Sequence, residues 1–203
     1  LIVQLGATAI GQRLVEQNEA AGKPARAISP ASPSRISGIW NGQVSQAQGV
    51  VDPAKTIELM AAAQKQAMQY GITQEELDRV VSLRIDAARQ VAATGRTGMS
   101  AALADGLAMQ LNADPVFVSP QDSLALLEEQ ANTVTLEEVN AALRARFTDA
   151  PSLVFRGSAE PKGGMEALRA VYEEAMASPV PAYSAAELKA WPYRNFGSPA
   201  KIA

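Results

Sequence analysis

The feature that most constrains the fold is a helix-start pattern that occurs three times along the chain. A Thr or Ser is followed three residues later by Glu, with apolar residues on both sides, in segments 72–77, 134–139 and 183–188. In such a capping box the hydroxyl accepts a hydrogen bond from the backbone amide of the Glu, and the carboxylate reaches back to the amide of the Thr or Ser. The pattern predicts helices that begin after Thr73, Thr135 and Ser184.

Apolar spacing and helix punctuation predict the other helices. Val3, Ala7, Ile10 and Leu14 recur at helical spacing at the start of the chain. Asp52 is predicted to be an N-cap because a Pro follows it at the first helical position, and Gly71 is predicted to end that helix as a left-handed cap. Further helices are predicted at residues 77–91, 103–111, 120–127, 135–147 and 165–176.

Three stretches are predicted to be strands. Residues 25–29 and 36–47, the second containing Trp40, are predicted to be joined by a turn at residues 30–34. Residues 151–157 are short, apolar and Gly-terminated, which is typical of a buried strand. We therefore expect an α+β fold, a two-layer sandwich with about five to seven helices packed on one face of a small, mostly antiparallel sheet.

The chain contains no His and no Cys. This composition excludes a Ser-His-Asp triad, a Cys nucleophile and the usual zinc ligands. Its 18 basic and 21 acidic residues give a net charge of -3 without a charged run, so we expect no nucleic-acid partner. No apolar run is long enough to cross a bilayer, and no signal peptide is visible.

Several local patterns invite a chemical interpretation. The acidic pairs at 75–76 and 137–138 could act as metal ligands or bases, but capping of the two helices explains them. Residues 95–98 could form an anion-binding turn, yet they lack the Walker pattern and fit a turn between helices. Ser198 and Lys201 match the Ser-x-x-Lys of penicillin-binding enzymes without the companion motifs. We therefore assign no catalytic, cofactor-binding or metal-binding residue.

Four motifs together resemble the insulinase/pitrilysin family of zinc metallopeptidases. They are Gly-Ile-Thr with Glu-Leu-Asp-Arg at 71–79, Phe-Val-Ser-Pro at 117–120, Val-Thr-Leu-Glu-Glu-Val-Asn at 134–140, and Trp-Pro-Tyr with Phe-Gly at 191–197. Gln12-Arg13-Leu14 is similar to an Asn-Arg-Arg-Leu motif of the family, from which Gly11 and Gln12 depart. The resemblance covers nearly the whole chain. It is most specific to the second domain of the N-terminal half of these enzymes.

The resemblance implies a parent enzyme of four related domains that form two half-shells around a closed chamber, in which peptides are cleaved. Zinc in that family is held in the first domain by an inverted His-x-x-Glu-His helix and a distal Glu. None of those ligands can be transferred to a chain without His. Residues 1–178 are expected to form the non-catalytic domain, without its first strand, and residues 179–203 the linker toward the C-terminal half.

The expected function is therefore that of a structural and substrate-chamber domain of a zinc-dependent metalloendopeptidase, with the chain itself inactive and free of cofactor. Its expected partners are the catalytic domain, the C-terminal half and peptide substrate, and the isolated chain could self-associate. The aromatic residues Trp191, Tyr193 and Phe196 either grip a partner or pack the linker back onto the domain. One alternative is an inactive peptidase-like subunit that pairs with a zinc-bearing partner, and another is an unrelated helical adaptor. Either the bacterial periplasm or the cytoplasm is compatible with the sequence.

Overall fold

The chain folds into a layer of helices against a small sheet. The computed structural model describes residues 2–30, 34–36, 39–41, 45–94, 104–105, 118–145, 153–157 and 160–184. In chain order the elements are α1 (Ile2–Ala20), β1 (Ala25–Pro30), β2 (Ser34–Ile36), β3 (Ile39–Asn41), β4 (Ser45–Val50), α2 (Pro53–Tyr70), α3 (Gln74–Thr94), α4 (Pro120–Ala131), α5 (Leu136–Arg144) and α6 (Gly164–Ala177). These elements confirm the predicted α+β class.

The helix starts follow the predicted caps. Asp52 accepts a hydrogen bond from the amide of Lys55 at 3.0 Å, and Pro53 follows it as the first residue of α2. Ser119 caps α4 and Thr135 caps α5, the latter in a complete capping box. The third predicted box, at 183–188, extends past Ser184 into residues outside the described part of the chain.

The strands pair differently from the prediction. β1 pairs antiparallel with β4, from Ala25 opposite Val50 to Pro30 opposite Ser45, and β2 pairs with β3 in a separate short hairpin. Residues 36–47 are thus not one strand, and residues 30–34 do not join two paired strands. The partner of β1 lies beyond the hairpin because pairing is decided by packing and backbone hydrogen bonds, which neighbouring sequence does not determine.

The core is centred on α1, which packs against β1, α2, α3 and α5. The predicted α1 stripe is partly wrong, because Val3 and Ala7 are only half-buried. The buried apolar residues of this core are Leu5, Ala9, Ile10, Leu14, Ala25, Ile28, Ala63, Ala67, Ile72, Leu77, Val80, Val139 and Leu143. Asn18 of α1 also bonds both backbone groups of Ala25, at 2.8 and 3.1 Å, which holds the helix on the strand.

The turn between α2 and α3 depends on Gly71 and Asn140. Gly71 has φ 74° and ψ −157°, so the predicted left-handed cap is wrong in ψ, although its amide still bonds the Ala67 carbonyl at 3.0 Å. Only glycine adopts this region readily, and an added Cβ would overlap the Asn140 side chain. Asn140 reaches across from α5 to accept from the Ile72 amide at 2.7 Å and donate to its carbonyl at 3.1 Å.

The predicted strand at 151–157 is wrong over its described part. Residues 153–157 have no regular secondary structure, and Val154 is 86% exposed. A short apolar run is ambiguous without a partner strand to supply its backbone hydrogen bonds. Among the residues that the structure describes, no helix combines the length and hydropathy that a membrane crossing needs.

Candidate functional site

The most unusual chemical feature among the described residues is a buried ion pair between α1 and α3. The Arg13 guanidinium donates from Nε to Glu76 Oε1 at 3.0 Å and from Nη2 to Oε2 at 2.7 Å. Nη2 also donates to the Gly71 carbonyl at 3.1 Å. The two side chains are 0% and 6% exposed, so almost all of their charge is compensated within the protein. This two-bond geometry matches the planar fork of arginine to a carboxylate.

The capping box at the start of α3 places Glu76 in this pair. Glu76 Oε2 accepts from the Thr73 amide at 2.8 Å, and Thr73 Oγ1 accepts from the Glu76 amide at 3.2 Å. One carboxylate therefore both caps α3 and binds Arg13. The capping interpretation of Glu76 is confirmed, but the ion pair was missed. Its signal was a cationic residue, Arg13, inside the apolar stripe of α1, next to Leu14.

A tyrosine from the C-terminal segment covers this pair. The Tyr183 ring lies over the Arg13 guanidinium, with Arg13 Cζ 4.3 Å from the centroid of the ring. The Tyr183 hydroxyl donates to Glu16. Arg79 of α3 donates to the other Glu16 oxygen at 3.2 Å. Burial and the hydrogen bond to Glu16 raise the pKa of Tyr183, so the ring stays neutral and donates at physiological pH. We call Arg13, Glu16, Glu76, Arg79 and Tyr183 the Arg13 cluster.

The segment that carries Tyr183, residues 178–184, lies along α2. Three α2 side chains donate to its backbone carbonyls: Lys65 to Ser178 at 2.5 Å, Gln66 to Pro181 at 3.1 Å and Tyr70 to Val180 at 3.2 Å. Lys65 also donates to the Met176 carbonyl at 2.6 Å, at the end of α6. We call residues 178–184 the C-terminal strap. The predicted linker thus begins with a segment that is fastened to the domain.

The acidic residues singled out in the sequence do not form a metal site. Glu75 and Glu137 are exposed, and Glu138 belongs to the capping box of α5, where the Thr135 backbone and hydroxyl bonds lower its pKa. Among the described residues, no group of three or more carboxylates is close enough to share a metal ion. Because the chain also has no His or Cys, the residues present do not fit the zinc that the family resemblance implies.

A shallow depression lies at the start of α6. Its lining is formed by Glu160, Pro161, Gly163, Gly164, Met165 and Glu166. These residues include no nucleophile and no cation, and none belongs to the Arg13 cluster. The other patterns considered in the sequence, at 95–98, 191–196 and 198–201, lie outside the described residues.

The fold is similar to the fold of insulinase-family proteases. One similar structure is a predicted insulinase family protease from Yersinia pestis, with a TM-score of 0.71 and 17% identity over 86% of this chain. Another is the periplasmic protease PqqL from Escherichia coli, with a TM-score of 0.66 and 18% identity over 96% of the chain. The first half of PqqL alone matches 90% of the chain at the same TM-score.

This chain spans only part of those proteins. It covers 38% of the Yersinia protein, 21% of PqqL and 39% of the PqqL first half. No family model and no curated protein matches the sequence. At such low identity the structural likeness defines the fold and not the roles of individual residues.

Proposed function

We propose that the chain is a non-catalytic structural and substrate-chamber domain of a zinc-dependent metalloendopeptidase that degrades peptides. The observation that carries this proposal is the match of 90% of the chain to the first half of PqqL, in a sequence without a single His. The zinc ligands of such an enzyme would lie in another domain. The buried Arg13 and Glu76 side chains bond each other, which supports a structural role for them.

The physical task of the domain would be to pack against a catalytic domain and supply part of a chamber wall. Its partners would be that domain, the C-terminal half of the same parent protein and the peptide substrate. Residues 179–184 of the strap begin the segment 179–203, which we propose as the linker between the halves. The description of PqqL as periplasmic supports the periplasm over the cytoplasm as the compartment.

The first experiment measures metal content and peptide hydrolysis on the 203-residue chain. We expect no stoichiometric zinc and no hydrolysis of unstructured peptides, because the nitrogen and sulfur ligands that give zinc sites their affinity are missing. One tightly bound zinc per chain, retained through dialysis against a chelator, would contradict the proposal and point to a carboxylate-only site.

An inactive peptidase-like subunit, acting as the partner of a zinc-bearing subunit, is the alternative that the His-free sequence also favours. The reading frame upstream of residue 1 separates the two. A His-x-x-Glu-His motif there supports the chamber domain, and a related domain without that motif supports the inactive subunit. Unrelated upstream sequence would contradict both and favour a helical adaptor.

A further inference from the structure

The C-terminal strap is held on the domain by side-chain contacts. Its residues form no helix or strand, and Pro179, Pro181, Ala182 and Ser184 are exposed. Three α2 side chains bond its carbonyls, and each bond gives only a modest net stabilisation because water bonds the same carbonyls when the strap is free. The Tyr183 side chain makes a different kind of contact, because it covers a buried charge.

Tyr183 is also the strap residue that belongs to the Arg13 cluster. Arg13 Nη1 is buried without a hydrogen-bond acceptor, and the electron-rich face of the Tyr183 ring is the group that covers the guanidinium. Removing the ring would admit water to Arg13 and to its bonds with Glu76. The same contact therefore docks the strap and keeps water away from the ion pair.

We propose that residues 178–184 form a releasable strap and that Tyr183 is its latch, coupling strap docking to the Arg13–Glu76 ion pair. In the closed state the ring seals the pair and holds residues 178–184 against α2. In the open state the strap is free and the pair is hydrated, while the helix layer stays folded. This inference stands on the contacts of this chain and does not depend on the peptidase assignment.

The strap position can be measured with two spin labels, since the chain contains no Cys of its own. One label goes on Ser184→Cys and the other on Gln90→Cys, an exposed site on α3 about 16 Å along the helix from Arg79. Double electron–electron resonance in the otherwise unchanged chain is expected to give one narrow distance distribution. Tyr183→Ala is expected to add a broad component and raise the open population about tenfold.

Two matched variants separate the ring from the other contacts. Tyr183→Phe keeps the ring over Arg13 and loses the bond to Glu16, so we expect a smaller open population than in Tyr183→Ala. Tyr70→Phe removes a tyrosine hydroxyl bond at the other end of the strap, and we expect it to leave the distribution narrow. A distribution as narrow in Tyr183→Ala as in the parent would overturn the latch.

The coupling has its own readout in the side-chain Nε proton of Arg13, which donates to Glu76 at 3.0 Å. We expect its hydrogen-exchange rate, measured by NMR, to rise about tenfold in Tyr183→Ala and to stay unchanged in Tyr70→Phe. An unchanged rate in both would overturn the coupling. Global unfolding of Tyr183→Ala, seen by circular dichroism, would overturn releasability, because the strap could then not detach from a folded domain.

Discussion

At the scale of single residues, Arg13 is the side chain whose burial requires the most compensation. Moving an ion out of water into a protein interior costs roughly several kcal/mol, even after the protein relaxes around it. Arg13 recovers this through two bonds to Glu76, one to the Gly71 carbonyl and the ring of Tyr183. Each partner comes from a different part of the chain, so the pair also fixes how α1, the α2–α3 turn and the strap meet.

We predict that Glu76→Gln lowers the free energy of unfolding by about 3–5 kcal/mol, because it leaves Arg13 buried without its counter-charge. Chemical denaturation monitored by circular dichroism measures this loss. Arg79→Met is the control, since the Arg79–Glu16 pair is more than one-third exposed and such pairs contribute about 0–1 kcal/mol. Equal losses in the two variants would show that the buried pair contributes no more to the free energy of unfolding than the exposed pair.

What the sequence could predict at this scale depended on distance along the chain. The caps at Asp52, Thr73 and Thr135 involve partners three residues away, and all three are confirmed. Arg13 and Glu76 are 63 residues apart, and Asn140 and Ile72 are 68 apart, so no local pattern joins them. The predicted conformation of Gly71 is wrong for the same reason, because Asn140 closes that turn from α5, far along the chain.

At the scale of elements, α5 shows how much a short helix depends on its start. It has nine residues, fewer than an isolated helix needs in water, and the capping box supplies bonds for its first free amides. Thr135 Oγ1 accepts from the Glu138 amide at 3.2 Å, and Glu138 Oε2 accepts from the Thr135 amide at 3.0 Å. Val139 and Leu143 on this helix are buried in the core. Unfolding of α5 would therefore remove packing contacts from α1.

We predict that Thr135→Ala lowers the free energy of unfolding by about 0.5–2 kcal/mol, because an amide at the start of α5 loses its acceptor. The effect should appear in stability without a change in any chemical activity. If a parent enzyme carrying Thr135→Ala kept full stability and lost turnover, the capping role would be contradicted.

The Glu138 carboxylate of the same capping box makes the stability of the fold depend on pH. The pKa of Glu138 is lower in the folded chain than its ordinary value of 4.5, so its ionised form stabilises the fold above that value. This contribution is lost as the pH falls through the lowered folded pKa. Glu138→Gln is therefore expected to lose stability at neutral pH and to approach the parent in acid. Glu137→Gln makes the same charge change without a capping bond, and an identical pH dependence in both variants would contradict this assignment.

The strands were the least predictable elements, for a physical reason. β1 finds its partner in β4 across an inserted hairpin, and alternation within either segment does not specify that choice. Residues 151–157 looked like a strand because they are apolar, but Val154 is almost fully exposed. Helices carry most of their hydrogen bonds within themselves, so periodicity and caps located them, whereas strand pairing is a property of the assembled sheet.

At the scale of the whole molecule, the far end of α3 is not covered by the core. The buried residues of α3 end at Val80, although the helix continues to Thr94. Leu83 and Val91 are 52% and 57% exposed, and Leu126 of neighbouring α4 is 49% exposed. Leu83, Ala87 and Val91 are spaced four residues apart, so they lie along one side of the helix. We therefore take this line of side chains as the candidate interaction surface of the chain.

We predict that the isolated chain self-associates through this surface and that the catalytic domain proposed to lie upstream of it, expressed separately, competes for the surface. Sedimentation velocity over a range of concentrations measures the first effect, and co-purification measures the second. Leu83→Glu is expected to weaken both, because it places a charge within the apolar line. Ser82→Glu adds the same charge at an adjacent exposed position and is expected to leave both unchanged. A chain that stays monomeric and does not bind the upstream domain at high micromolar concentration would count against the chamber domain and favour a free-standing adaptor.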